Sequence, residues 1–450
     1  MKENNSALLK KWFPLHGETQ EKIDKQLNQA QYDCIDYDTD PILGFPGTPP
    51  ADIAVNVHSQ FSRKHFNNIG YHTKSDGVPS EMGFYGTQRL EREFIFGVAE
   101  MIGVENPKQD IDGYICSGGT EGNDHGLWIA RNVLWNNAKH EENHGIVVMR
   151  SFLSHYSTVK AFHRLMENPP NLQEKHRNIL HTLPVNKYGE LGLSTVEKEL
   201  LDFYEKGYTK FAIFLTAGTT NMGSIDPIYD ICEMISAIKE ACGIDVYIHV
   251  DAAFGGFVIP FIEPGCRFAF QHSLVQSVSI DAHKTGWAPY SSGVFMCRKR
   301  LLESTKTNAR YLHGLADYTV PGSRSGAIAA ACWATLHFYG FNGFKSIVDT
   351  CMKNTKYLKD RLKKLPGVWV YNNRMNILAI RIPRSLEHVF KNIHEDFCIV
   401  EDDFSTLTED NQRSTIKEGY SNTVYRFTVM PHVTIEKIDY FFKKLLGSLK

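Results

Sequence analysis

Ser277-Val-Ser-Ile-Asp-Ala-His-Lys-Thr-Gly-Trp287 is the stretch on which the reading of this chain turns. The alternation of Val278 and Ile280 marks a buried strand, and the small-residue turn after it presents His283 and Lys284 at the strand's carboxyl edge. That edge is where α/β sheets place their chemistry. A lysine there is commonly just a surface cation; the other use of such an amine is Schiff-base chemistry. Further upstream, Tyr247-Ile-His-Val-Asp-Ala-Ala-Phe-Gly-Gly256 is a second apolar strand, and it carries Asp251 to the same kind of edge.

A lysine and an aspartate so placed match the two ends of pyridoxal phosphate. The lysine takes the aldehyde, and the carboxylate keeps the pyridine nitrogen protonated so that the ring can act as an electron sink. The segment between them has room for one crossover and a return strand, so two nearby strands can hold both groups against one ring.

Composition restricts the alternatives. The chain has 450 residues, 42% hydrophobic and 22% charged, enough for a large core and two domains. A formal net charge of −2 gives no basic excess to suit nucleic acid or a membrane surface, so neither is expected as a partner. The nine cysteines are scattered without a Cys-x-x-Cys pair, as expected of thiols in a reducing, cytoplasmic setting. No window approaches the roughly 18 uninterrupted apolar residues of a membrane span, and the polar start Met1-Lys-Glu-Asn-Asn is not followed by an apolar leader.

Along the chain, Glu18 to Gln31 reads as a polar helix and Pro41-Ile-Leu-Gly-Phe-Pro-Gly-Thr-Pro-Pro50 as an extended segment. Leu90, Phe94, Val98 and Met101 recur at helical spacing. Tyr114 to Cys116 is a strand, Ser117-Gly-Gly-Thr-Glu-Gly-Asn123 a glycine-rich turn, and Leu127 to Ala138 the helix beyond it. Such a turn is more often plain loop. With Asp251 and Lys284 present, its glycines and the helix N-terminus point to a phosphate site. His140-Glu-Glu-Asn-His144 satisfies the zinc-protease pattern but is wholly polar and runs directly into Gly145 and a strand at Ile146 to Arg150. It lacks the mid-helix setting that a zinc pair needs, and no metal is expected. Phe211 to Leu215 is an apolar strand opening on the turn Thr216 to Asp226, and Pro227 starts a helix to about Ala241. Val294 to Cys297 is a strand. A helical region from Ser325 to Lys364, interrupted at Gly340-Phe-Asn-Gly-Phe344, leads into a smaller domain. That domain has strands near 368–371, 377–382 and 425–430 and a polar insertion at 401–421.

His-Val-Asp-Ala-Ala-Phe-Gly-Gly followed by Asp-Ala-His-Lys resembles the group II pyridoxal-phosphate-dependent amino-acid decarboxylases, and the likeness runs from about Tyr85 to the C-terminus. It is greatest to archaeal-type tyrosine/aspartate decarboxylases and bacterial histidine decarboxylases, with local likeness to sphingosine-phosphate lyase. The resemblance implies an α/β, aspartate-aminotransferase-like fold of fold-type I. A three-layer large domain would span residues 61–325 and a small C-terminal α/β domain 326–450. An N-terminal arm, 1–60, would wrap the partner of a homodimer whose active site lies at the subunit interface. The resemblance further implies that Gly118, Gly119 and Thr120 bind the phosphate, His155 stacks on the pyridine ring and Asp251 meets its nitrogen. Thr219, Ala253 and His283 would lie beside the cofactor, and Lys284 would hold it. Tyr311 or Tyr318, from the neighbouring subunit, would protonate Cα after carbon dioxide leaves, and Arg426 would face the substrate α-carboxylate. As bare residues, His155 is equally a cap and Arg426 equally a surface arginine. The expected activity is α-decarboxylation of an L-amino acid, with an aromatic or imidazole side chain favoured over an acidic one. An acidic substrate would want a second cation such as Arg63 or Lys64. The alternatives are a carbon–carbon lyase of the sphingosine-phosphate type and a catalytically silent scaffold dimer.

Overall fold

The computed structural model describes residues 17–74, 81–136, 145–168, 172–173, 176–310, 316–371, 374–403 and 419–448. They fall into two compact units, Met1–Pro41 and Ile42–Lys450. In the first, helix α1 (Gln20–Tyr32) is capped by Thr19, whose hydroxyl accepts the Lys22 N–H, and buries none of its residues.

The expected arm of residues 1–60 therefore divides at Pro41. From Ile42 onward the chain packs into the second unit: Leu43 is fully buried, donates its N–H to Phe397 O and accepts from Thr428 N. Helix α2 (Asp52–Ser62) then lies against the long helix Gly326–Leu362.

The core of the second unit is a seven-stranded sheet. Its strands are β1 (Ile111–Cys116), β2 (Val147–Ser151), β3 (Ile179–Leu183), β4 (Lys210–Thr216), β5 (Asp245–Asp251), β6 (Val275–Asp281) and β7 (Gly293–Arg298), in the order β1-β7-β6-β5-β4-β2-β3. Every strand but β7 runs the same way, and β7 returns antiparallel between β1 and β6, as the fold resemblance implies. Strand residues alternate between two cores. Phe211, Ile213 and Leu215 of β4 join one cluster, and Ala212 and Phe214 join the other. Helices cover both faces, which is why these strands read as continuous apolar runs.

On the first face lie α3 (Tyr85–Met101), and on the opposite face α4 (Gly119–Asn136) and α5 (Ser157–Leu165). The first face is completed by α6 (Leu193–Glu205), α7 (Ile228–Cys242) and the start of α8 (Gly326–Leu362). Helix α4 begins at Gly119 rather than near Leu127, because the glycines that read as loop are helical residues pressed on the sheet. A Cβ on Gly122 would stand 2.5 Å from Ser279 Cβ, and one on Gly126 2.5 Å from the His249 ring.

After β7 the strands β8 (Thr307–Asn308) and β9 (Ala316–Asp317) form a short ribbon. Helix α8 breaks at Gly340 (φ 56°), where the glycine pattern predicted an interruption, and delivers Leu358 and Leu362 to a second core. There an antiparallel sheet of β10 (Trp369–Val370), β11 (Ile377–Pro383), β12 (Val400–Asp403) and β13 (Tyr420–Thr428) is covered by α9 (Glu387–Ile393) and α10 (Ile435–Gly447). The His140–His144 pattern, Tyr311 and residues 404–418 of the polar insertion lie outside the described residues. Among the described residues no helix is long and apolar enough to cross a membrane, and no cluster of His, Cys, Asp or Glu could hold a metal.

Candidate active site

Because β1, β2, β4, β5 and β6 point the same way, their carboxyl ends open on one edge, and the start of β7 joins them there. A cavity of about 370 Å³ lies at that edge. It is lined by Gly118, Gly119 and Thr120 after β1 and by His155 and Tyr156 after β2. Thr216, Gly218 and Thr220 come from the end of β4 and its turn, Asp251 and Ala253 from β5, and Asp281, His283 and Lys284 from β6.

Each polar group is held. Asp251 Oδ2 accepts from Asn123 Nδ2 at 2.7 Å and Oδ1 from the Ala253 N–H at 3.0 Å. Lys284 Nζ lies 2.9 Å from Asp281 Oδ2. Burial works against the Lys284 charge, but contact with Asp281, helped by Asp251, outweighs it and raises the ammonium above the ordinary lysine range. His283 Nδ1 donates to Ser292 O at 3.0 Å and its ring lies 4.4 Å from that of Tyr290. Burial pushes the imidazoles of His283 and His155 below their ordinary range; for His155, Asp251 and Asp281 oppose the shift and Lys284 adds to it.

The glycine turn is shaped by close approach. A Cβ on Gly119 would meet Ala253 Cβ at 2.9 Å and Asp281 Oδ2 at 3.3 Å, and one on Gly118 would meet His283 Cε1 at 3.1 Å. Glu121 Oε2 accepts the Ser117 N–H at 2.9 Å, tying the first turn of α4 to the residues before it, and Gly119 and Thr120 of that turn line the cavity.

Eight of the residues singled out in the sequence line this one cavity: Gly118, Gly119, Thr120, His155, Asp251, Ala253, His283 and Lys284. Others do not. Thr219 is buried in its own turn, with its hydroxyl 2.6 Å from Ser224 Oγ, and Thr216 and Thr220 line the wall in its place. Arg426 stands behind that wall, its Nη1 donating to Thr220 O at 3.1 Å. Its Nε is buried without a hydrogen-bond partner among the described residues. Tyr318 is away from this chain's cavity, packed edge-on to Tyr71 with its hydroxyl accepting from Lys74 Nζ at 2.8 Å. Arg63 and Lys64 are exposed at the end of α2 and line nothing here.

Asp281 and Asn123 were missed. Both sit in motifs quoted above, three residues before Lys284 and at the end of the glycine turn. Asp281 was legible as a second carboxylate at the lysine's strand end.

The donor set fits pyridoxal phosphate. A carboxylate, a lysine and a glycine cradle at a helix N-terminus surround one cavity. Asp281 Oδ1, facing that cradle, is buried with no hydrogen-bond partner among the described residues, as befits a group that completes its bonding on a ligand.

Comparison with known proteins agrees. The pyridoxal-dependent decarboxylase conserved domain matches residues 87–379. The tryptophan decarboxylase of Clostridium sporogenes is 30% identical over 434 residues, covering 94% of each chain. A probable L-aspartate decarboxylase of Archaeoglobus fulgidus is 30% identical over 409 residues, 90% of this chain and 94% of the relative. The crystal structure of L-methionine decarboxylase from Streptomyces sp. 590 superposes with a TM-score of 0.78 at 20% identity over 96% of both chains, and so shares the fold. With a matched domain spanning most of its length and relatives collinear with nearly all of it, this chain belongs to the pyridoxal-phosphate-dependent amino-acid decarboxylases.

Proposed function

We propose that this decarboxylase acts on an L-amino acid with an aromatic or imidazole side chain, as a homodimer in the cytoplasm. One observation carries the substrate reading: among the described residues lining the cavity, Lys284 is the only lysine or arginine, and it stands with two carboxylates, Asp251 and Asp281. An acidic side chain would add negative charge where no second cation answers it. Tyr156 and Tyr290, both largely exposed, and buried Phe254 instead offer flat apolar surface to a ring.

Lys284 would hold the cofactor's aldehyde carbon, Gly118, Gly119 and Thr120 its phosphate, Asp251 its ring nitrogen and His155 one face of the ring. Bound there, pyridoxal phosphate supplies the electron sink that takes the pair released as the bond from Cα to the carboxylate breaks. Asp251, braced by Asn123 and the Ala253 N–H, holds a proton on the pyridine nitrogen. Asp281 holds Lys284 as an ammonium, and only once that proton is lost is the nitrogen nucleophilic. Arg426, which does not line the cavity, steadies the Thr220 wall from behind through its Nη1 bond to Thr220 O rather than touching the substrate carboxylate. Tyr311 or Tyr318, from the neighbouring subunit, would deliver the proton to Cα, and the bond of Tyr318 to Lys74 Nζ at 2.8 Å favours Tyr311.

The test is release of labelled carbon dioxide from carboxyl-labelled tyrosine, phenylalanine, tryptophan, histidine, aspartate and glutamate, with Lys284→Ala beside the wild type. Release from one of the first four, lost in the variant, is the expected result. Release from aspartate or glutamate alone overturns the substrate reading, and an aldehyde product without carbon dioxide would favour the carbon–carbon lyase.

A further inference from the structure

Behind the cavity runs a chain of buried hydrogen bonds in which every proton can be placed. Asp251 Oδ2, a carboxylate oxygen, can only accept, so the Asn123 group facing it at 2.7 Å is the amide NH2, which also donates to Ser157 Oγ at 2.8 Å. The other end of the amide, Oδ1, then accepts from Ser279 Oγ at 2.8 Å and from His249 Nε2 at 3.0 Å. His249 therefore carries its proton on Nε2, and its Nδ1 accepts from Ser277 Oγ at 2.7 Å, which in turn accepts from Tyr247 O–H at 2.8 Å.

The same bookkeeping runs forward. Having accepted from Asn123, Ser157 gives its own hydroxyl proton to His155 Nδ1, 2.8 Å away. A second donor agrees, because the Ser157 backbone N–H also points at His155 Nδ1, at 3.3 Å. A nitrogen that accepts twice carries no proton. All donors point the same way, from Tyr247 to His155, an alignment in which each bond polarises the next.

We propose that Asn123 is a positioning residue for the decarboxylation: by bonding Asp251 and Ser157 with one amide group it fixes His155 as a neutral imidazole with its proton on Nε2, turned towards the cavity. His155 then offers a hydrogen-bond donor, suited to an anionic oxygen of substrate or cofactor, and is no proton acceptor. The ionisable groups around it are Asp251 at the end of β5, Asp281 and Lys284 at the end of β6, and Tyr156 beside it in sequence, its ring 4.3 Å away. Burial favours the neutral ring. The assignment to decarboxylation rests on the family membership above, whereas the tautomer is a property of this chain's own residues.

The experiment is heteronuclear NMR of enzyme with 15N-labelled histidine rings at neutral pH, without cofactor and after loading with pyridoxal phosphate; His155→Gln identifies the resonances. The wild type should show His155 with an unprotonated Nδ1 and a protonated Nε2 in both states. Asn123→Ala frees Ser157 to accept, so a population protonated at Nδ1 should appear. Ser157→Ala should do the same without touching the bond to Asp251, and Ser157→Thr, which keeps the hydroxyl, should restore the wild-type pattern. Wild-type enzyme with the proton on Nδ1 or on both nitrogens would overturn the proposal. So would a wild-type pattern unchanged in folded Asn123→Ala and Ser157→Ala, since the network would then set nothing. If Asn123→Ala does not fold, the two serine variants decide alone.

Discussion

Asp281 governs the state of Lys284 more directly than any other side chain. It touches the amine at 2.9 Å and overcomes the burial that would otherwise favour the neutral form, so the lysine stays protonated to higher pH than usual. Only the neutral amine can attack an aldehyde. Asp281→Asn should therefore lower the lysine's pKa, and the pH at which capture of pyridoxal phosphate by cofactor-free protein is half-maximal should fall. Following the absorbance change on mixing across a pH series reads this directly; an unmoved midpoint would show that Asp281 does not hold the proton. Lys284 and Asp251 were legible because each ends an apolar strand with a small-residue turn behind it. Asn123 was not, since its partners His249 and Asp251 lie 126 and 128 residues away. Thr219 misled because the capture of its hydroxyl by Ser224 is a matter of turn geometry, which composition does not reveal.

At the level of the element, helix α4 is held to the sheet by what its glycines lack. Gly126→Ala would drive a methyl to 2.5 Å from the His249 ring and should destabilise the protein by about 1–3 kcal/mol, the usual cost of overpacking. Gly86→Ala, in the first turn of α3 with nothing within 4 Å of the new Cβ, should stabilise it by about 0.5–1 kcal/mol through helix propensity. Urea midpoints of the two variants, shifting in opposite directions, check both. The central strands were readable because both their faces are buried. The start of α4 was not, because glycine at a helix–sheet contact looks like glycine in a loop. Edge strand β3, mostly half-buried, carries too weak a pattern to declare itself. Ile42 and Leu43 read as part of an arm among the prolines and glycines around them, yet both are buried and Leu43 belongs to the small sheet's core.

For the molecule as a whole, buried histidines tie stability to pH. Burial lowers His125 and His249 from 6.5 to about 3, so both fold neutral. The unfolded chain takes up their protons first. Their stabilising contribution is therefore complete above pH 6.5 and is lost as the pH falls towards 3, at a cost on the order of 2 kcal/mol each by pH 5. Asp226 works in the opposite sense: burial raises it to about 7, and its contribution fades as the pH rises from 3.8 through that value. Comparing urea midpoints at pH 7.5 and 5 isolates the histidine effect, since His125→Gln should shrink the acid loss relative to wild type; an equal loss in both proteins would refute it. The return strand β7 bears on a different timescale. The connection carrying Lys284 is pinned at both ends by neighbouring central strands, β6 and β7, and tied across by the His283 N–H to Ser292 O bond at 3.0 Å. The His283 and Ala288 amides, bonded to Ser292 O and Ala282 O, should accordingly exchange slowly with deuterium, whereas those of exposed Tyr290 and Ser291 exchange fast, so the lysine's own turn is the slow part of the connection.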